Sequence, residues 1–173
     1  MSTDQVTLPD EQETDTTQVL TFHLGQETFA MNIGSVREII QYGSITSVPL
    51  MPEFVRGVIN LRGAVVPVID LHSRFGRSLG QVGKKTCVVI FDASRNGERA
   101  EIGLLVDSVS EVVDVPTDSI EPAPGFGTTV RRDFIFGIGK IDGEFVTILD
   151  PEKAFDVDDM ARLCESAQEA VAA

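Results

Sequence analysis

Tryptophan is absent from this 173-residue chain and tyrosine occurs once. No nucleotide-stacking surface is expected from a chain so poor in these two residues. Basic residues are also scarce, 14 against 27 acidic ones, for a formal charge of −13. Phosphate repels such a surface, so neither nucleic acid nor an anionic membrane is expected as a partner. The only cysteines, Cys87 and Cys164, lie far apart with no C-x-x-C pair, which excludes a disulfide framework. The only histidines, His23 and His72, have no Cys or His at zinc-ligand spacing, and no metal site is predicted. Met1 is followed by Ser, Thr and Asp rather than by a basic stretch and an apolar run, so no secretory signal is read. No apolar run reaches the roughly 18 residues of a membrane span. The expectation is a cytoplasmic protein with no direct membrane insertion.

Catalytic motifs are missing too. Gly80 to Thr86 has the glycines and lysines of a phosphate loop but neither its spacing nor a following helix, and reads as a basic linker. Gly125-Phe126-Gly127 and Gly137-Ile138-Gly139 lack the third glycine of a dinucleotide fingerprint. No nucleophile-elbow sequence anchors a Ser-His-Asp triad. Asp70 and Asp150 each end a strand and read as turn or cap residues. His23, between Phe22 and Leu24, reads as an exposed strand position. No enzyme activity and no cofactor are predicted.

What the chain does have is β-branched residues and a repeat. Val and Ile dominate an apolar fraction of 42%, and such side chains suit pleated surfaces. Residues 1–18 hold five acidic residues and no basic one, a solvated tail. Val19–Leu24 and Phe29–Ile33 form a hairpin across Gly25-Gln26-Glu27. Ser35 is expected to cap a short helix carrying Val36, Ile39 and Ile40. Gly57 to Leu71 reads as two strands around a tight turn at Arg62-Gly63, where the glycine supplies a positive φ. The programme then recurs: Cys87–Phe91 and Ile102–Val106 pair, Val109–Val113 echoes Val36–Ile40, and Gly137 to Asp150 repeats the hairpin 80 residues on. Gly57/Gly137, Gly63/Gly143, Val66/Val146, Asp70/Asp150 and Phe75/Phe155 keep their identity at that offset.

Five short strands per copy predict a mainly β fold of two small barrels sharing a core, lobe one over 19–85 and lobe two over 86–155. Over 156–173 the spacing of Val157, Met160, Cys164, Ala167 and Val171 predicts a C-terminal amphipathic helix. Arg62 precedes the turn glycine in the first copy and Asp142 in the second. An arginine at a hairpin tip offers a charged fork to carboxylates and carbonyls.

Several stretches resemble the CheW chemotaxis coupling proteins. They are Phe22-x-Leu24-Gly25, Val36-x-Glu38-Ile39, the run from Pro52 to Leu71, Gly103 to Val109 and Ile120 to Pro124. The Gly-x-x-Asn-Leu-Arg-Gly-x-Val-x-Pro segment from Gly57 to Pro67 is the most specific, and the resemblance covers Val19 to the C-terminus. It implies two intertwined, SH3-like five-stranded barrels with short helices, strand exchange between lobes being allowed. It also implies a non-catalytic adaptor between the cytoplasmic tip of a chemoreceptor and the regulatory domain of the histidine kinase CheA. The alternatives are a coupling protein of a non-flagellar chemosensory pathway, for surface motility or gene regulation, and a small-molecule-binding barrel. On the same resemblance Val36, Glu38, Gly57, Arg62, Val109 and Val112 belong to the receptor groove, with Glu38 as ion-pair partner of Arg62. Kinase contact is expected at exposed apolar surfaces of the barrel ends.

Overall fold

The computed structural model describes residues 15–43, 45–49, 51, 53–74, 82–92, 101–122 and 135–150. The predicted C-terminal helix, the Phe75/Phe155 pair and Cys164 lie outside the described residues. The strands are β1 (Thr16–Leu24), β2 (Glu27–Asn32), β3 (Val36–Gln41), β4 (Val55–Leu61), β5 (Ala64–Asp70), β6 (Cys87–Asp92), β7 (Glu101–Val106), β8 (Ser108–Pro116), β9 (Ile135–Ile141) and β10 (Glu144–Leu149). A single-turn helix, α1 (Leu71–Arg74), follows β5, and 3₁₀ turns follow β2 and β8.

The strands form two five-stranded sheets, ordered β8-β1-β2-β10-β9 and β3-β6-β7-β5-β4. The second sheet is one continuous stretch of chain. The first is assembled from the N-terminal hairpin and the last three strands. Replacing β1–β5 by β6–β10, and the reverse, turns one strand order into the other, so the repeat in sequence is a repeat in space. Each copy lends its first hairpin to the sheet built by the other copy's last three strands. The lent strands are joined by parallel pairs, Phe29↔Thr147 in one sheet and Val68↔Gly103 in the other.

Burial follows from this exchange. A shared core between the sheets takes Leu20, Phe22, Phe29 and Met31 from one side and Ile69, Val89, Phe91 and Leu104 from the other. The outer face of each sheet encloses a smaller cluster, around Val19, Val115 and Val146 in one and around Val66, Val88 and Ile90 in the other. Central strands are therefore covered on both faces, and Ile102–Val106 is buried without alternation.

Two expectations need correction. Val36–Gln41 is a strand, not a Ser-capped helix; only Ile33–Ser35 is helical, a 3₁₀ turn capped by Asn32. The spacing of Val36, Ile39 and Ile40 fits a helical period, but a helix this short is unstable alone. Antiparallel pairing with β6 gives partners to the backbone groups along one side of this edge strand, with one bulge between Val36 and Glu38. Likewise Thr16–Gln18, read as the end of the tail, are strand because they pair with Asp114–Pro116 of β8.

The hairpins at the 80-residue offset match closely. β4–β5 and β9–β10 turn through Arg62-Gly63 and Asp142-Gly143, with φ of 52° and 86° in one and 51° and 82° in the other. Positive φ at both central residues marks a turn whose twist suits a tight hairpin and which favours Asn or Asp at its first position. Asp142 satisfies that preference and Arg62 does not.

Candidate functional site at the seam between the sheets

The edge strands β3 and β8 are counterparts under the repeat, and they place the predicted residues in matching positions. Val36 opens β3 opposite Phe91, and Val109 lies near the start of β8 opposite Phe22. Both valines are half-buried against the shared core. Further along, Ile39 and Val112 correspond, and both are exposed, by 41% and 49%. For large apolar side chains on edge strands this exposure needs a reason, and an interaction surface is one.

Arg62 and Glu38 meet as expected. Arg62 Nη2 donates to Glu38 Oε1 at 2.5 Å. β3 and β4 are opposite edges of their sheet, yet the turn after β4 reaches β3, so the sheet is rolled until its edges face each other. Ile40 of β3 sharing a cluster with Ile59 and Leu61 of β4 shows the same curl. The Arg62 hydrogen bond holds the Glu38 carboxyl below its ordinary value, and the carboxylate raises the guanidinium in return. Arg62 stays 69% exposed at its side chain, so the pair is open to a partner.

Gly57 has a different character. It is buried, with φ of 152°. A Cβ there would lie 2.4 Å from the Thr46 carbonyl oxygen. Thr46 and Val58 exchange backbone hydrogen bonds of 2.9 and 2.8 Å, and this bridge needs the missing side chain. Gly137 repeats the arrangement beneath the Glu121–Ile138 bridge. Gly57 thus shapes the first lobe from inside, while Arg62 and Glu38 face outward from it.

Other residues hold the frame. Asp70 is fully buried; it accepts from Arg56 Nη1 at 2.8 Å and from the His72 backbone N–H at 2.9 Å, capping α1. The cap role read from sequence is observed, and the buried ion pair was not foreseen. His72 Nε2 lies 3.1 Å from Asp107 Oδ1, and Asp107 Oδ2 accepts the Gly25 N–H at 2.6 Å. One carboxylate therefore ties α1 to the β1–β2 turn of the other sheet. His23 is half-buried, not exposed, with Nδ1 3.2 Å from Thr28 Oγ1.

Sequence reasoning also missed that the linker lysines Lys84 and Lys85 line a cavity between the sheets, together with Ile39 and Val109. The doublet was visible as a basic segment, but nothing local placed it beside β3 and β8. Among the described residues no helix is long and apolar enough to cross a membrane, and no cluster of His, Cys, Asp and Glu could hold a metal ion.

Comparison with known proteins agrees with this geometry. Residues 18–159 match the model of the CheW-like domain. A chemotaxis protein CheW of Klebsiella aerogenes is 34% identical over 149 residues, spanning 86% of this chain and 87% of the relative. A probable chemotaxis protein CheW of Rhizobium etli is 35% identical over 138 residues, 80% and 86% of the two chains. The crystal structure of the scaffolding protein TtCheW from Thermoanaerobacter tengcongensis superposes with a TM-score of 0.73 at 36% identity, covering 82% of this chain and 89% of that one.

Proposed function

Because this chain belongs to the CheW-like domain family of chemotaxis proteins, we propose that it is a non-catalytic adaptor that couples chemoreceptors to the histidine kinase CheA. The observation that carries this reading is the pair of matched edge strands at the seam. They offer Val36, Ile39, Val109 and Val112 as an apolar lining, beside an outward Arg62–Glu38 pair. The tip of a chemoreceptor, a helical hairpin, would lie there. Arg62 supports the assignment by its backbone as well as its charge. It occupies a left-handed position that a non-glycine residue adopts only at a cost, and strain of this kind gathers at functional sites.

Coupling requires a second surface. Phe136 and Phe145, 53% and 74% exposed at opposite ends of the β9–β10 hairpin, offer exposed apolar side chains on the other lobe for the regulatory domain of CheA. Recruitment to receptor arrays at the inner membrane then comes from its partners.

The test is co-sedimentation of the protein with a chemoreceptor cytoplasmic fragment and CheA, with kinase activity as readout. Arg62→Asp should weaken assembly while its thermal melt stays that of a folded protein. Undiminished assembly by that variant would refute the assignment.

A further inference from the structure

We propose that Lys84 and Lys85 select an acidic partner: the helix that occupies the seam borders its apolar stripe with Asp or Glu. This deepens the reading above and rests on it. The cavity between the sheets measures about 410 Å³ and takes apolar lining from Ile39 and Ile40 of β3, Cys87 of β6 and Val109 of β8. That volume lies in the range, roughly 300–1,000 Å³, of clefts that hold a ligand group. Among the described residues the charged ones on its lining are Lys84 and Lys85, and no carboxylate joins them there. In a chain with 27 acidic and 14 basic residues, a cationic rim on an apolar cleft runs against the overall charge. It gives the cleft a local sign opposite to the field that an approaching acidic helix meets elsewhere.

The turn that carries the lysines is also held in place. Gly83 N–H donates to Thr86 Oγ1 at 2.8 Å, and Thr86 is 2% exposed. The Thr86 carbonyl accepts the N–H of Tyr42 at 3.0 Å, which fastens the turn beside the end of β3. Neither lysine forms an ion pair with a described residue, so both ammonium groups are available to an incoming carboxylate. Apolar contacts inside the cleft would supply affinity, and the rim charges would supply discrimination and a faster encounter.

The experiment is a titration of the full chain with a soluble chemoreceptor cytoplasmic fragment, at low and at high salt. Lys84→Glu/Lys85→Glu should bind at least about fivefold more weakly at low salt, and its salt dependence should flatten. Lys84→Arg/Lys85→Arg should retain wild-type binding. Both variants are checked first by thermal melt, which exposed positions should leave unchanged. If the double glutamate variant binds like the wild type with the same salt dependence, the lysine assignment fails and the coupling reading stands. If the wild-type chain binds no receptor fragment, the coupling reading fails, and the assignment falls with it.

Discussion

Gly57→Ala separates a packing role from a binding role at one of the residues matched to the receptor groove. The new methyl carbon would sit 2.4 Å from the Thr46 carbonyl oxygen and 2.5 Å from Ile45 Cγ2, on a backbone with φ of 152°. Holding a non-glycine residue at such a φ costs about 1–3 kcal/mol. Forcing an extra carbon into a filled site costs about 1–3 kcal/mol more. The stiffer unfolded chain returns about 0.4–1 kcal/mol. The net loss is then roughly 1–5.6 kcal/mol, a fall in Tm of about 2–22 °C for a chain of this size. Gly137→Ala is the internal control. Its Cβ would lie 2.5 Å from Ile120 Cγ2 and 2.9 Å from the Glu121 carbonyl oxygen. Gly137 is not among the positive-φ glycines, so it should lose only the packing part less the same unfolded-chain return, about 0–2.6 kcal/mol net. Urea denaturation of the two variants and the wild type gives the ordering, with an unchanged m-value as the sign that the unfolded state is the same. A Gly57→Ala protein as stable as wild type but deficient in receptor binding would refute the packing argument and make Gly57 a contact residue.

Asp70→Ala should cost about 3–5 kcal/mol in the same assay, because it removes the buried carboxylate that pairs with Arg56 and accepts the His72 N–H at the start of α1. Asp70→Asn, which keeps an acceptor for His72 N–H, should lose less. The Glu38 carboxyl, followed by NMR, should titrate below the ordinary glutamate value and return toward it in Arg62→Gln. Its folded-state value is depressed, so the pair's stabilisation is fully present above the unfolded-state value and disappears as pH falls through the depressed one. An unshifted Glu38 titration would mean that the pair does not persist in solution.

Much of this was legible from the chain alone. Most of the strands, the β4–β5 hairpin and its copy 80 residues later are set by short runs of β-branched apolar residues and by turn glycines, which act over a few residues. The Asp70 cap and the Arg62 tip were readable for the same reason, since each depends on its immediate neighbours. Pairing Glu38 with Arg62 came from family resemblance. The distance itself exists only because the sheet rolls its edges together.

Tertiary structure decided the rest. Val36–Gln41 carries a helical spacing and became a strand because β6 lay beside it to pair the backbone groups along one of its sides. Gly57 looked like a groove residue, and its requirement for glycine comes from Thr46, a neighbour placed by folding. Which sheet takes which hairpin depends on the apolar area that two lobes bury between them, and no local pattern records it. Lys84 and Lys85, read as part of a basic linker, border a cleft for the same reason: β3 and β8, far apart in the chain, come to line one cavity only once the two copies have exchanged their strands.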